Sequence, residues 1–187
     1  MSLKDEIEAY VPVNRQEEND RIIMLDMIGE KGIFTRENKT AHFTASCWIV
    51  NETFDKVLMC YHNIYDSYSW LGGHCDGEKD LLKVALREAQ EESGIKVRAY
   101  DGKIVSLEVL PVNGHEKKGE YVSSHLHLNV TYLLIGNDGD PLVVSPSENS
   151  DLKWFDLDKV LSCGSEQWFN TRIYPKLIDR VKSIKRL

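Results

Sequence analysis

The sequence predicts one domain of mixed α/β character, with a sheet covered on both faces by helices. Three observations carry that expectation. Runs rich in β-formers occur at 42–50, 56–62, 104–112 and 122–135. A single strongly patterned helix at 80–93 interrupts them, and a helical pattern closes the chain at 165–186. Periodicity alone leaves α/β and α+β both open for that order.

The elements follow in turn. Residues 15–31 place Ile22, Ile23, Leu25, Met27 and Ile28 among charged positions, which suits an amphipathic helix capped by Asn14 and ended by Gly29 or Gly32. Residues 1–40 therefore read as a helical extension before a domain at 41–187. The extension is expected to pack against that domain or against a partner subunit, which leaves a homodimer open. Residues 33–41 are polar and suit a linker or a short edge strand. His42 to Val50 reads as a strand, 51–55 as a turn and Lys56 to His62 as a second strand, together a hairpin. A polar, aromatic loop at 63–69 leads to Trp70-Leu71-Gly72-Gly73. The helix at 80–93 has Asp80 as its N-cap, Leu82, Ala85, Leu86 and Ala89 as its core side, and Gly94 as its stop.

Residues 96–112 give one or two strands and 113–120 a polar loop. From Val122 to Ile135 the alternation is regular, with Leu126, Leu128, Val130, Tyr132 and Leu134 on one face. His125, His127, Asn129 and Thr131 take the other. A turn at 137–140, a short strand at 152–155 and a short helix at 156–162 precede the last helix, which Pro175 is expected to bend.

Composition narrows the function classes. A chain of 187 residues can bury a core without disulfides, and 42% hydrophobic with 28% charged residues is ordinary for a globular protein. The net charge of −7 argues against a binder of nucleic-acid polymers, which needs a basic footprint, but not against a nucleotide substrate. None of Cys47, Cys60, Cys75 and Cys163 forms a C-x-x-C pair, so a cysteine zinc site lacks support. Cys47 and Cys60 are expected buried, and Cys75 packs more readily than it reacts. The acidic first ten residues do not form a signal peptide, and no apolar run is long enough to span a bilayer. A cytoplasmic protein without membrane partners is expected.

The most informative stretch is 72–95, GGHCDGEKDLLKVALREAQEESGI. Glu88, Glu91 and Glu92 stand three and four apart and share a helix face. Like charges at that spacing destabilise a bare helix by a few tenths of a kcal/mol per pair. A hard cation among them would offset the repulsion, because Mg²⁺ prefers oxygen ligands. Arg87, four residues before Glu91, can brace that carboxylate.

Gly73, Arg87-Glu88, Glu91-Glu92, Gly94 and Ile95 together resemble the Nudix box, G-x5-E-x7-R-E-U-x-E-E-x-G-U with U a bulky aliphatic. The resemblance implies a Nudix-type α/β/α sandwich with a mixed sheet and a MutT-like hydrolase dependent on Mg²⁺ or Mn²⁺. Such a pyrophosphohydrolase splits the diphosphate linkage of a small-molecule nucleoside diphosphate derivative, by attack of a metal-activated water. Two positions depart from the pattern. Lys79 stands where the first box glutamate belongs, and Ala89 replaces a larger aliphatic. Either the neighbouring Glu78 takes the missing role or Lys79 contacts a substrate phosphate.

The resemblance assigns Glu88, Glu91 and Glu92 as metal ligands, with Gly73 contributing a backbone carbonyl or a close approach and Arg87 orienting a glutamate. Glu148, on a late loop, is a candidate general base or a solvated turn residue. His125 and His127 suit phosphate or base binding, acid–base work, or a solvent-facing polar sheet face. As a zinc pair they lack an evident third ligand. Tyr61, Tyr65, Tyr68 and Trp70 either stack on a nucleobase or pack the core, and Trp154-Phe155 suits the core. Two other functions share this fold: a non-catalytic nucleotide sensor, which Lys79 favours, and an isoprenyl diphosphate isomerase. The isomerase family uses a reactive cysteine in a Cys-His-Pro context that this sequence lacks.

Overall fold

In the computed structural model, which describes residues 1–62, 66–117, 119–145 and 149–186, a seven-stranded mixed sheet forms the centre. The side chain of Lys117 is also outside the description. Two helices, α1 (Leu3–Ala9) and α2 (Arg15–Met27), precede the sheet. Strands β1 (Ala41–Asn51), β2 (Lys56–His62), β3 (Ser67–Ser69) and β4 (Leu71–His74) lead into α3 (Leu81–Ser93). Then come β5 (Val97–Val112), a small hairpin of β6 (His115–Lys117) and β7 (Glu120–Val122), β8 (His125–Gly136) and β9 (Asn149–Asp156). A π-helical turn at Phe169–Ile173 runs into α4 (Tyr174–Lys185).

The sheet order is β3-β2-β1-β8-β5, with β4 also on β1 and β9 also on β2. Only β1 and β8 run parallel; the other pairs are antiparallel. Because side chains alternate across a strand, β1 splits its residues between two cores. Phe43, Ala45, Cys47 and Ile49 face α3 with Leu128, Val130, Tyr132 and Leu134 of β8. Trp48 and Val50 face α4, where Tyr174, Leu177, Ile178 and Val181 cover them. Helices thus lie on both faces of a mixed sheet, as the sequence predicts. No helix among the described residues is long and apolar enough to cross a membrane.

Several elements differ from the sequence reading. The helix α1 was not expected; a capping box between Ser2 and Asp5 starts it, and Leu3 and Ile7 bury its inner side in the α3-side core. Ile22 and Ile23 of α2 are exposed and Met24 is the buried apolar residue there, so that helix turns a narrower face inward. The polar loop after β5 contains the β6–β7 hairpin. Pro175 does not bend the last helix. It occupies the first turn of α4, where its missing N–H leaves no hydrogen bond unmade.

The caps of α3 follow the sequence. The Asp80 side chain accepts from the Lys83 N–H, and Gly94 closes the helix in the left-handed region. Its buried stripe is Leu81, Val84, Ala85, Glu88, Ala89 and Glu92, one position round from the expected Leu82 and Leu86, which pack at the core margin. The stripe therefore changes from apolar to acidic over its last two turns.

Candidate active site

The acidic end of that stripe meets the sheet where the sheet has no side chains. Gly72 and Gly73 of β4 pair with Ser46 and Ala45 of β1. Gly72 has φ +151, and a Cβ there would lie 2.6 Å from Ser46 Cα. At Gly73 the obstacle is the helix: a Cβ would lie 2.5 Å from the Glu88 carboxyl carbon. The paired glycine is thus the floor on which two glutamates rest. Glu92 Oε2 accepts a 3.0 Å hydrogen bond from the Gly72 N–H.

Glu88 and Glu92 are 9% and 6% exposed. Carboxylates in such places need hydrogen bonds, an opposite charge or a metal ion. Arg87 supplies one cation. Its guanidinium lies 2.8 Å from Glu88 Oε1 and 3.9 Å from Glu91 Oε2, and donates to the His74 carbonyl at 3.1 Å. It ties β4 to α3 while orienting Glu88. Glu91 is exposed, beyond the rim of the pair. Beneath the glutamates, Cys47 donates to the Ala85 carbonyl at 2.9 Å. Burial, and then the charges of Glu92 and Glu88, push its thiol well above the usual range.

The donor set fits a hard divalent cation. Glu88, Glu91 and Glu92 offer only oxygen, sit on one helix and border a backbone cradle that a β-carbon would fill.

The front loop, where the sequence departs from the box pattern, is a tight turn. Asp76 and Gly77 both have positive φ, +45 and +96, and the Glu78 N–H bonds the Cys75 carbonyl at 2.9 Å. That is the signature of an Asp-Gly turn. Arg36 pairs with Asp76 at 3.0 Å, and the Gly77 N–H bonds the Phe34 carbonyl at 2.9 Å. The turn is therefore anchored to the chain before β1.

Glu78 is engaged at the start of α3. Its Oε1 accepts from the Lys79 and Asp80 N–H groups at 2.9 and 3.1 Å, and Lys83 donates to Oε2 at 2.6 Å. The Lys83 hydrogen bond, helped by the backbone donors, holds its carboxyl down at about 2. Lys79 is exposed beside the turn. Cys75 is 2% exposed, and burial pushes its thiol up to about 12, so it is not a ready nucleophile. Glu148 and Tyr65 lie outside the described residues. Tyr68 packs on Phe155 and Trp70 on Phe169 and Tyr174, so those rings belong to the α4-side core.

His125 and His127 sit elsewhere, on the α4-facing side of β8. The parallel register sets His127 opposite His42 of β1, and His74 extends the group from β4. Sequence reasoning missed His42, because a parallel register has no local signature. It also missed the buried polar network further along the same face. There Lys176 Nζ lies 2.8 Å from both Glu17 Oε1 and Glu108 Oε1, and Asn129 and Thr131 bond Glu108.

A family model described as the NUDIX domain matches residues 40–177. Among solved structures, a hydrolase of the NUDIX family from Clostridium perfringens is similar at 22% identity and a TM-score of 0.53, over 76% of this chain and 97% of that one. A C. elegans Ap4A hydrolase in a binary complex is similar at 19% identity and a TM-score of 0.54, over 75% and 98%. Likeness at this identity establishes a shared fold. No curated protein matches the sequence.

Proposed function

We propose that this chain, which belongs to the Nudix family, hydrolyses the diphosphate linkage of a small nucleoside diphosphate derivative with Mg²⁺ or Mn²⁺ as its cofactor. One observation carries the reading: Glu88 and Glu92 are buried against the bare backbone of Gly72 and Gly73. A structural helix gains nothing from acids at those positions.

Glu88, Glu91 and Glu92 would hold the cation, with Gly73 allowing the close approach. Bound there, the ion would neutralise phosphoryl oxygens and lower the pKa of a water. The remaining work falls to the chain. Arg87 fixes Glu88 by charge and fixes β4 through the His74 carbonyl. Lys79, exposed at the head of α3, suits a phosphate contact, and the helix start adds a favourable dipole. Glu78, already engaged by Lys83 and two N–H groups, suits a role in shaping the turn. Glu148 is the proposed base. With a net charge of −7, the chain would meet its substrate through the bound metal rather than by a basic surface.

The test is a panel of sugar nucleotides, dinucleoside polyphosphates, oxidised nucleotides and coenzyme derivatives, with Mg²⁺ and with Mn²⁺, scored for phosphate or nucleotide release. The dinucleoside polyphosphates have a further motive in the Ap4A hydrolase that shares the fold. Wild type should turn over at least one member, and Glu91→Gln should lose most of that activity. Tight nucleotide binding with no turnover on any member would replace the hydrolase by a sensor.

A further inference from the structure

His42, His125 and His127 come together from two strands that are neighbours only in space. Each offers a ring nitrogen, and the three lie within 4.8 Å of one another. We propose that these imidazoles form a second metal site, for a divalent transition ion of the Zn²⁺ class in tetrahedral coordination, with the fourth position open.

Two of the three nitrogens, those of His125 and His42, have the right identity. The Nδ1 atom of His125 lies 2.8 Å from the Ser123 carbonyl, and that of His42 lies 3.2 Å from the Asn38 carbonyl. A carbonyl only accepts, so each Nδ1 carries the proton and each Nε2 presents a lone pair. Carbonyls behind ligating histidines fix the tautomer in the same way at metal centres. His42 is 4% exposed, and its buried Nε2 has no hydrogen-bond partner. A buried lone pair without a partner is costly, and a metal ion would satisfy it.

The spacing fits as well. Nε2 of His125 and Nε2 of His127 stand 3.2 Å apart. Two nitrogens on one tetrahedral zinc, each at about 2.0–2.1 Å, are separated by roughly 3.3 Å. The third nitrogen, within 4.8 Å, needs only a modest ring rotation to close the triangle.

The surroundings bear on strength. Arg36 opposes a cation here, but it is paired with Asp76 at 3.0 Å. Lys39 and His115 act from further out. His74 meets His127 edge to face at 4.9 Å between centroids and lies 5.2 Å from the His42 ring. Nitrogen donors select a different ion from the oxygen donors on α3. The two sites are thus chemically distinct, although His74 follows Gly73 directly in β4.

The test uses the full chain, stripped by chelator and titrated with Co²⁺ alone and then Zn²⁺ alone, without nucleotide. Tetrahedral Co²⁺ gives intense visible absorption, and octahedral carboxylate sites do not. One equivalent should bind with a tetrahedral spectrum and be displaced by Zn²⁺. His127→Ala and His42→Ala should each weaken it at least tenfold, while Glu91→Gln leaves it unchanged. His125→Ala, at a partly exposed position, provides the same reading if His42→Ala fails to fold. Absence of a tetrahedral spectrum, or one that the histidine variants leave intact, overturns the proposal.

Discussion

The Glu88 carboxylate occupies the space that a side chain at Gly73 would need, 2.5 Å from where its β-carbon would stand. Strand and helix are therefore fitted to each other at the one point where the helix's buried stripe becomes acidic. Gly73→Ala should displace Glu88 with little change in fold, because the neighbour that must give way is a side chain. A displacement on the order of 1 Å at a reacting centre costs about 10²-fold. The expected result is a loss of kcat of that order with an unchanged circular dichroism spectrum.

Arg87 contacts Glu88 and the His74 carbonyl through Nη2 and faces Glu91 through Nη1. Lysine carries the charge but lacks the planar fork that faces both Glu88 and Glu91. Arg87→Lys should lower kcat by about tenfold, mainly through a misplaced Glu88. Steady-state kinetics at varied Mg²⁺ would show whether the loss persists at saturating metal, as a positioning role requires.

Lys176 is the cation between two buried acids, Glu17 and Glu108. Removing one partner of such a group leaves uncompensated charge and costs roughly 3–5 kcal/mol. Lys176→Met should lower the urea midpoint accordingly, and adding Glu17→Gln should recover part of the loss. An unchanged midpoint in Lys176→Met would show that the network contributes little.

The same network sets a pH dependence. Burial pushes the Glu17 carboxyl up, but the Lys176 charge and the hydrogen bonds from Lys176, Val13 and Tyr10 outweigh it, so it lies below its ordinary 4.5. Arg180, 3.7 Å away, adds to that pull, and Glu108 opposes it. A folded value below the unfolded one gives stability that is complete above about pH 4.5 and lost as pH falls through the lower folded value. The urea midpoint of wild type should fall below pH 4.5, and that of Glu17→Gln should fall less steeply.

Cys75 lies in the loop between β4 and α3 yet is buried, with its thiol pushed up to about 12. Cys75→Ala should retain turnover within a few-fold, and wild type should react slowly with a thiol reagent at neutral pH. Rapid inactivation through Cys75 would reopen a cysteine-based chemistry such as the isomerase.

What was legible in the sequence was local. Asp80 and Gly94 mark the ends of α3 because caps depend on adjacent residues. Leu126 to Leu134 mark one face of β8 because a strand alternates. The carboxylate face of α3 followed from helical spacing, although its rotation toward Gly73 did not. The remainder depended on distant pairing. Glu17 and Lys176 meet across 159 positions, so neither has a local sign of its partner. His42 reaches His127 only through a parallel register that no turn fixes. The Asp76-Gly77 turn, anchored by Arg36 and Phe34 from before β1, likewise emerges only in the fold.

The most direct measurement is the rate of diphosphate hydrolysis by wild type and by Glu88→Gln on the panel member that wild type prefers, at saturating Mg²⁺. Glutamine keeps the shape that fills the Gly73 cradle and removes the charge. A fall of roughly two orders of magnitude or more, with the fold retained, is the predicted result. Turnover of Glu88→Gln at the wild-type rate would contradict the account, because the buried carboxylate would then be a packing feature and not part of the catalytic machinery.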